Sequence, residues 1–108
     1  MIVAAASVGH ASAQSPDDVF RIGIETDMNG VYSYVTGRGS VEAVKLAVED
    51  FGGKVLGRSI QISGADHQNK ADIGASIARQ WYDEGFDLVA DTPNSAVALA
   101  VQEISKQK

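Results

Sequence analysis

The chain contains no cysteine. Disulfides, iron–sulfur clusters, thiolate zinc sites and cysteine nucleophiles are thereby excluded. The compartment stays open, because an exported protein need not use disulfides. Basic residues are also scarce: 9 Lys and Arg stand against 14 Asp and Glu, a formal net charge of −5, with no basic cluster. Nucleic-acid binding needs grouped cations against phosphates, and an anionic membrane surface needs the same, so neither is an expected partner. No apolar run approaches the roughly 20 residues of a membrane helix. No phosphate loop with Gly-Lys-Ser/Thr occurs. What is present, 44% hydrophobic and 21% charged residues over 108 positions, is ordinary globular composition for one small domain at most.

Residues 1–13 hold no Lys, Arg, Asp or Glu. The apolar run Ile2 to Val8 precedes Ala11-Ser12-Ala13, a small-x-small pattern of the kind found before a signal-peptide cleavage site, and then polar Gln14-Ser15-Pro16-Asp17-Asp18. The expectation is a signal peptide over 1–13, a linker over 14–18 and a mature chain outside the cytoplasm. The basic residues that normally open such a peptide are missing, which predicts a start lost upstream; the alternative is an Ala-rich tail.

Three strand–helix units are predicted beyond this point. Val19 to Ile24 alternates as a strand, with Gly23 leaving space for a helix on one face. A loop of about 15 residues, Glu25 to Gly39, follows and offers Asn29, Tyr32, Tyr34, Thr36 and Arg38. Val41, Val44, Val48 and Phe51 then form a helical stripe, with Ser40 the expected N-cap and Gly52-Gly53 the stop. A half-buried strand is expected over Arg58 to Ser63. A second helix has Asn69 and Asp72 as a capping pair, Ile73, Ile77 and Trp81 on its apolar face and Gly85 at its end. Leu88-Val89-Ala90 is expected as a strand buried on both faces. Asn94 or Ser95 caps a third helix, whose stripe is Val97, Val101 and Ile104.

This succession predicts an α/β fold, a parallel sheet of βα units with helices on both faces and the first strand between the other two. In such sheets small molecules bind beyond the carboxyl ends of the strands, where the order reverses. The loops after the first and third strands flank that point. The second of these feeds a helix N-terminus, where free N–H groups and the helix dipole favour a carboxylate; the simpler role for Asn94 and Ser95 is capping alone.

Enzyme signals are absent. Gly37-Arg38-Gly39 begins like a dinucleotide fingerprint, but Glu42 stands where the third glycine belongs and the strand lies too far upstream. Glu25, Asp27 and Asp91 sit where a phosphoacceptor receiver domain keeps its acids, yet the first loop is too long. His67 beside Asp66 is read as a solvated loop residue, and Trp81 and Tyr82 as core and rim of the second helix. No nucleophile–base set is visible, so no catalytic residue, metal or cofactor is expected.

Several runs, in order, carry a family resemblance: Ile22-Gly23-Ile24-Glu25-Thr26-Asp27-Met28-Asn29-Gly30, Gly39 through Asp50, Gly52-Gly53-Lys54-Val55-Leu56-Gly57-Arg58, Ala65-Asp66-His67-Gln68-Asn69-Lys70 and Asp91-Thr92-Pro93-Asn94-Ser95-Ala96-Val97. Over about Phe20 to Lys108 the chain resembles periplasmic solute-binding proteins of the Leu/Ile/Val (branched-chain amino acid) ABC-transporter type. The resemblance implies a two-lobe protein of periplasmic binding protein type 1 that closes over a solute. Residues 19–108 would then form part of the N-terminal lobe, in a chain several times longer. It places the carboxylate-binding serine at Ser95, with Pro93, Asn94 and Ala96 beside it, and a side-chain contact at or beside Thr36, near Tyr34. Asn69 and Asn94 stand where some members carry a disulfide. Thr36 stands where some amino-acid binders carry a bulky aromatic, so an aromatic acid is implied as readily as an amino acid. The implied partners are that small carboxylate and a membrane permease; a sensor domain of the same fold is the alternative.

Overall fold

The computed structural model describes residues 18–108. The expected signal segment 1–13 and most of the linker 14–18 lie outside them. The elements are β1 (Val19–Thr26), α1 (Arg38–Phe51), β2 (Lys54–Val55), β3 (Arg58–Asp66), α2 (Ala71–Asp83), β4 (Leu88–Ala90) and α3 (Ser95–Gln107). The sheet order is β2-β3-β1-β4. β1 runs parallel to β3, from Val19 opposite Ser59 to Thr26 opposite Asp66, and parallel to β4, from Ile22 opposite Leu88 to Ile24 opposite Ala90. The first strand thus lies between the other two parallel strands, as the βα succession predicted.

Strand alternation sends helices to both faces. A Cβ built on Gly23 would lie 2.3 Å from Trp81 of α2, whereas one on Gly64, opposite Ile24, would lie 2.9 Å from Val41 of α1. Gly23 is therefore the contact that lets α2 approach the sheet. The main core sits on that side, where Ala78, Val97, Val101 and Ile104 join α2 to α3, with Ala75, Tyr82 and Val89 packed against them. The indole of Trp81 stacks on Phe86, with ring centroids 5.0 Å apart.

Several expectations are corrected. Lys54 and Val55 form a strand antiparallel to β3, joined by a two-residue turn in which Leu56 and Gly57 both have positive φ, 49° and 76°; that is the turn chemistry of a tight hairpin, in a strand too short to show a period. α1 starts at Arg38 behind Gly37, not behind Ser40. Gly37 has φ 65°, and a Cβ there would lie 2.8 Å from the Asp27 carbonyl, so only glycine fits. Asn69 does not cap α2, because its side chain is committed to Asp27 and Lys70 stands at the N-cap. The buried face of α2 is Gly74, Ala78 and Trp81, with Ile73 and Ile77 only half-buried, since small residues allow closer approach to β1 and α3. Phe51 is 68% exposed and α1 buries no residue fully. Leu88 is 46% exposed, because β4 is an edge strand paired with β1 alone among the described residues. The stop at Gly52, the left-handed Gly85 beyond α2 and the apolar stripe of α3 stand as expected.

Candidate functional site

The parallel strands deliver two polar pairs and a single acid to one rim: Thr26 with Asp27 at the end of β1, Asp66 with His67 at the end of β3, and Asp91 after β4. Asp27 is buried and accepts N–H groups from Asn29 (3.3 Å), Gly30 (2.6 Å) and Tyr32 (2.8 Å), and the Asn69 side-chain amide (2.8 Å). Burial would raise its pKa, but the hydrogen bonds from Asn69, Tyr32, Gly30 and Asn29 outweigh it and bring it down to about 2. Asp66 accepts the N–H of Met28 (3.2 Å) and Gln68 (2.9 Å) and the side-chain amide of Asn29 (3.1 Å). Its pKa is likewise lowered: burial and the nearby Asp27 oppose the shift, and the bonds from Gln68, Met28 and Asn29 prevail. Thr26 Oγ1 accepts the Gly37 N–H at 2.9 Å. The loop after β1 is therefore tied at its start and at its end.

Under this rim, on the α2 side, lies Glu25. It is fully buried, and neither carboxyl oxygen has a hydrogen-bond partner among the described residues. Its carboxyl lies 2.8 Å from a Cβ built on Gly74, which would also lie 2.5 Å from Val97. Burial pushes its pKa up to about 8, so at pH 7 it is mostly the neutral acid. His67 is also fully buried, which corrects its assignment as a solvated loop residue. Its Nδ1 accepts the Asn69 N–H at 2.9 Å, so the neutral ring carries its proton on Nε2. Burial lowers its pKa, against the opposing pull of Asp27, Asp66 and Asp91. Asp91 has φ 63° and one buried, unpartnered carboxyl oxygen. Strand parity held the signal for Glu25: it lies two residues beyond Gly23, on the same face.

The residues expected to meet a solute lie on the two loops beside this rim. Asn94 caps α3, its Oδ1 accepting the N–H groups of Ala96 (3.0 Å) and Val97 (3.2 Å). Two amide protons offered to an anion are thus already taken. Ser95 is the first residue of α3, and both it and Ala96 are exposed, while Pro93 and Asn94 are half-buried. Thr36 is half-buried and its hydroxyl donates to the Tyr32 carbonyl at 3.0 Å; Tyr34 is 95% exposed. The order β1-β4 sets these two loops side by side. Surface cavities of about 310 Å³ (Met28, Arg38, Val41, Glu42, Lys45, Gly64) and about 400 Å³ (Ser76, Arg79, Gln80, Asp83, Glu84) are lined by none of these residues. Among the described residues no group of three or more His, Asp or Glu is arranged to hold a metal, and no helix is long and apolar enough to cross a membrane. Asn94→Ala, which strips the cap from α3, is expected to cost about 1 kcal/mol in urea denaturation.

The periplasmic binding protein family model matches residues 19–108. No curated protein matches the chain. A periplasmic binding protein from Burkholderia mallei is 50% identical, with a TM-score of 0.81 over 84% of this chain and 24% of its own. A branched-chain amino acid ABC transporter periplasmic ligand-binding protein from Burkholderia xenovorans LB400 is 46% identical, with a TM-score of 0.78 over 82% and 24%. An ABC-transporter solute-binding protein from Rhodopseudomonas palustris BisB5, in complex with 3,4-dihydroxybenzoic acid, shares the fold at 22% identity, with a TM-score of 0.74 over 83% and 25%. The chain spans about a quarter of the length of these structures. From Val19 to the end of α3, in sequence and in the arrangement of its sheet, the chain belongs to the periplasmic binding protein family.

Proposed function

We propose that residues 19–108 are part of the N-terminal lobe of an extracytoplasmic, periplasmic solute-binding component of an ABC importer. It captures a small carboxylate, an amino acid or an aromatic acid, and passes it unchanged to a membrane permease. The observation that carries this reading is the rim itself. Two loops at the carboxyl ends of adjacent parallel strands, one tethered over its length and one opening a helix, meet where open α/β sheets bind small molecules. Family membership and the transporter relatives support the role, and the dihydroxybenzoate complex of the BisB5 protein supports an aromatic carboxylate as one cargo.

Because the Asn94 side chain occupies the Ala96 and Val97 amides, the carboxylate is assigned to the Ser95 hydroxyl and N–H, assisted by the α3 dipole. Thr36 and Tyr34 face the solute from the other loop. Titration calorimetry of the intact protein against L-leucine and 3,4-dihydroxybenzoate tests this. One of them is expected to bind and to be recovered chemically unchanged. Ser95→Ala is expected to weaken that binding about ten-fold. Turnover of the solute, or full affinity in the Ser95 variant, would count against the assignment.

A further inference from the structure

We infer that Asp27, gripped by Asn69, is the positioning residue of the solute loop: it sets the path of residues 28–37 and so the places at which Tyr34 and Thr36 are presented. The inference rests on the function proposed above for where the solute sits, and on hydrogen-bond geometry for the rest.

One buried carboxylate collects four donors. Oδ1 takes the N–H groups of Gly30 and Asn29, and Oδ2 takes the Tyr32 N–H and the Asn69 amide. Hydrogen bonds to an ionised, desolvated acceptor are among the stronger ones. The loop lies directly on this group: a Cβ on Gly30 would sit 2.7 Å from Asp27 Oδ2 and 2.8 Å from Asn69 Nδ2. The tether continues outward. The Tyr32 carbonyl accepts both the Thr36 N–H and the Thr36 hydroxyl, each at 3.0 Å. A short chain of bonds therefore runs from Asp27 through Tyr32 to Thr36.

The turn after β3 is bent to supply the fourth donor. Gln68 and Asn69 both adopt left-handed φ, 55° and 57°, and Lys70 N–H closes the turn on the His67 carbonyl at 3.0 Å. The left-handed region is unfavourable for Gln68, while Asn69 is one of the few non-glycine residues that enters it readily. The turn is held by Gln68 N–H on Asp66 Oδ1 and Asn69 N–H on His67 Nδ1, both at 2.9 Å. Its effect is to carry the Asn69 amide to Asp27, 42 positions away in the chain. The loop after β1 is thus shaped from β3.

The test uses Asp27→Asn, which preserves size but replaces one acceptor by a donor, so that the side chain no longer accepts all four bonds. In the intact protein, amide hydrogen exchange at Gly30 and Tyr32 should quicken by about ten-fold or more, with β1 and β3 unchanged. Affinity for whichever of L-leucine and 3,4-dihydroxybenzoate binds should fall about ten-fold. Asn69→Asp, which sets two carboxylates together, should do the same. The double exchange Asp27→Asn with Asn69→Asp lets the amide at 27 donate to the carboxylate at 69, and should recover part of both losses. Unchanged loop exchange overturns the inference. So does faster exchange spread over β1 and β3, a loosened loop with full affinity, or a double variant no better than the singles. If the unaltered protein binds neither probe, the proposed function fails, and Asp27 is judged on exchange and on rescue alone.

Discussion

Glu25→Gln is expected to leave stability nearly unchanged at pH 4 and to raise it at pH 9, by at most about 5 kcal/mol. Glu25 is fully enclosed and has no hydrogen-bond partner among the described residues, so desolvation alone sets its ionisation. Its pKa is raised from 4.5 to about 8. A group whose pKa rises on folding holds its proton more tightly in the native state. Its contribution is complete below about pH 4.5 and is lost as pH climbs through 8. At about 1.36 kcal/mol per pH unit, that rise gives the stated upper figure. Glutamine matches the neutral acid in shape and never ionises, so the variant escapes the loss. His67 acts in the opposite sense. Its pKa is lowered by burial, against the pull of Asp27, Asp66 and Asp91, so its contribution is present above its ordinary 6.5 and is lost as pH falls. That slope is common to both proteins, so the difference between their curves isolates Glu25. Urea denaturation between pH 4 and 9 makes the comparison; parallel curves would show that Glu25 ionises at its ordinary value in the folded chain.

Gly23→Ala is expected to destabilise the fold by about 3 kcal/mol, the upper end of overpacking costs. The added methyl would lie 2.3 Å from two ring carbons of Trp81, too close for any pair of carbon atoms. The indole cannot simply swing aside. It is buried and lies flat against Phe86, with an interplanar angle of 7°. Relief requires α2 to move off β1, which would also disturb the contact of Ala78 with α3. Trp81→Leu alone should cost about 2 to 3 kcal/mol through the cavity it leaves. With both changes, leucine makes room for the methyl, and the double variant should be about as stable as Trp81→Leu alone. A double-mutant cycle by circular dichroism checks this. Additive losses would place the strain at Gly23 somewhere other than the indole.

These two sites show what a local pattern can and cannot carry. Gly23 interrupts an alternating strand, and that was enough to expect a helix close to one face. Glu25 shares its parity and was equally placed to be buried, but an acidic residue near a strand end also suits an open rim, and nothing nearby in the chain decides between them. His67 was taken for a solvated residue because its neighbours Asp66, Gln68, Asn69 and Lys70 are polar. It is enclosed because the turn after β3 lies against β1, where the His67 N–H meets the Thr26 carbonyl at 2.9 Å, and bends back so that the Asn69 N–H meets the imidazole. The solute residues divide in the same way. A cap at Asn94 or Ser95 was legible, since capping needs only the next three residues, and the structure selects Asn94. That its side chain withholds two amides from a carboxylate is visible only in the bonds it makes.

Residue order and spacing suffice for the α/β class, the placing of β1 between β3 and β4, the stop at Gly52, a cap at Asn94 or Ser95 and the lack of any thiol chemistry. Each rests on neighbours within a turn or two, or on connection rules that admit few topologies. The rotation of α2 onto Gly74 and Ala78, the burial of Glu25 and His67 and the grip of Asn69 on Asp27 depend on partners dozens of positions away. Burial and hydrogen bonding are properties of what surrounds a group in space, and a polar side chain has the same sequence signature whether water or another strand surrounds it.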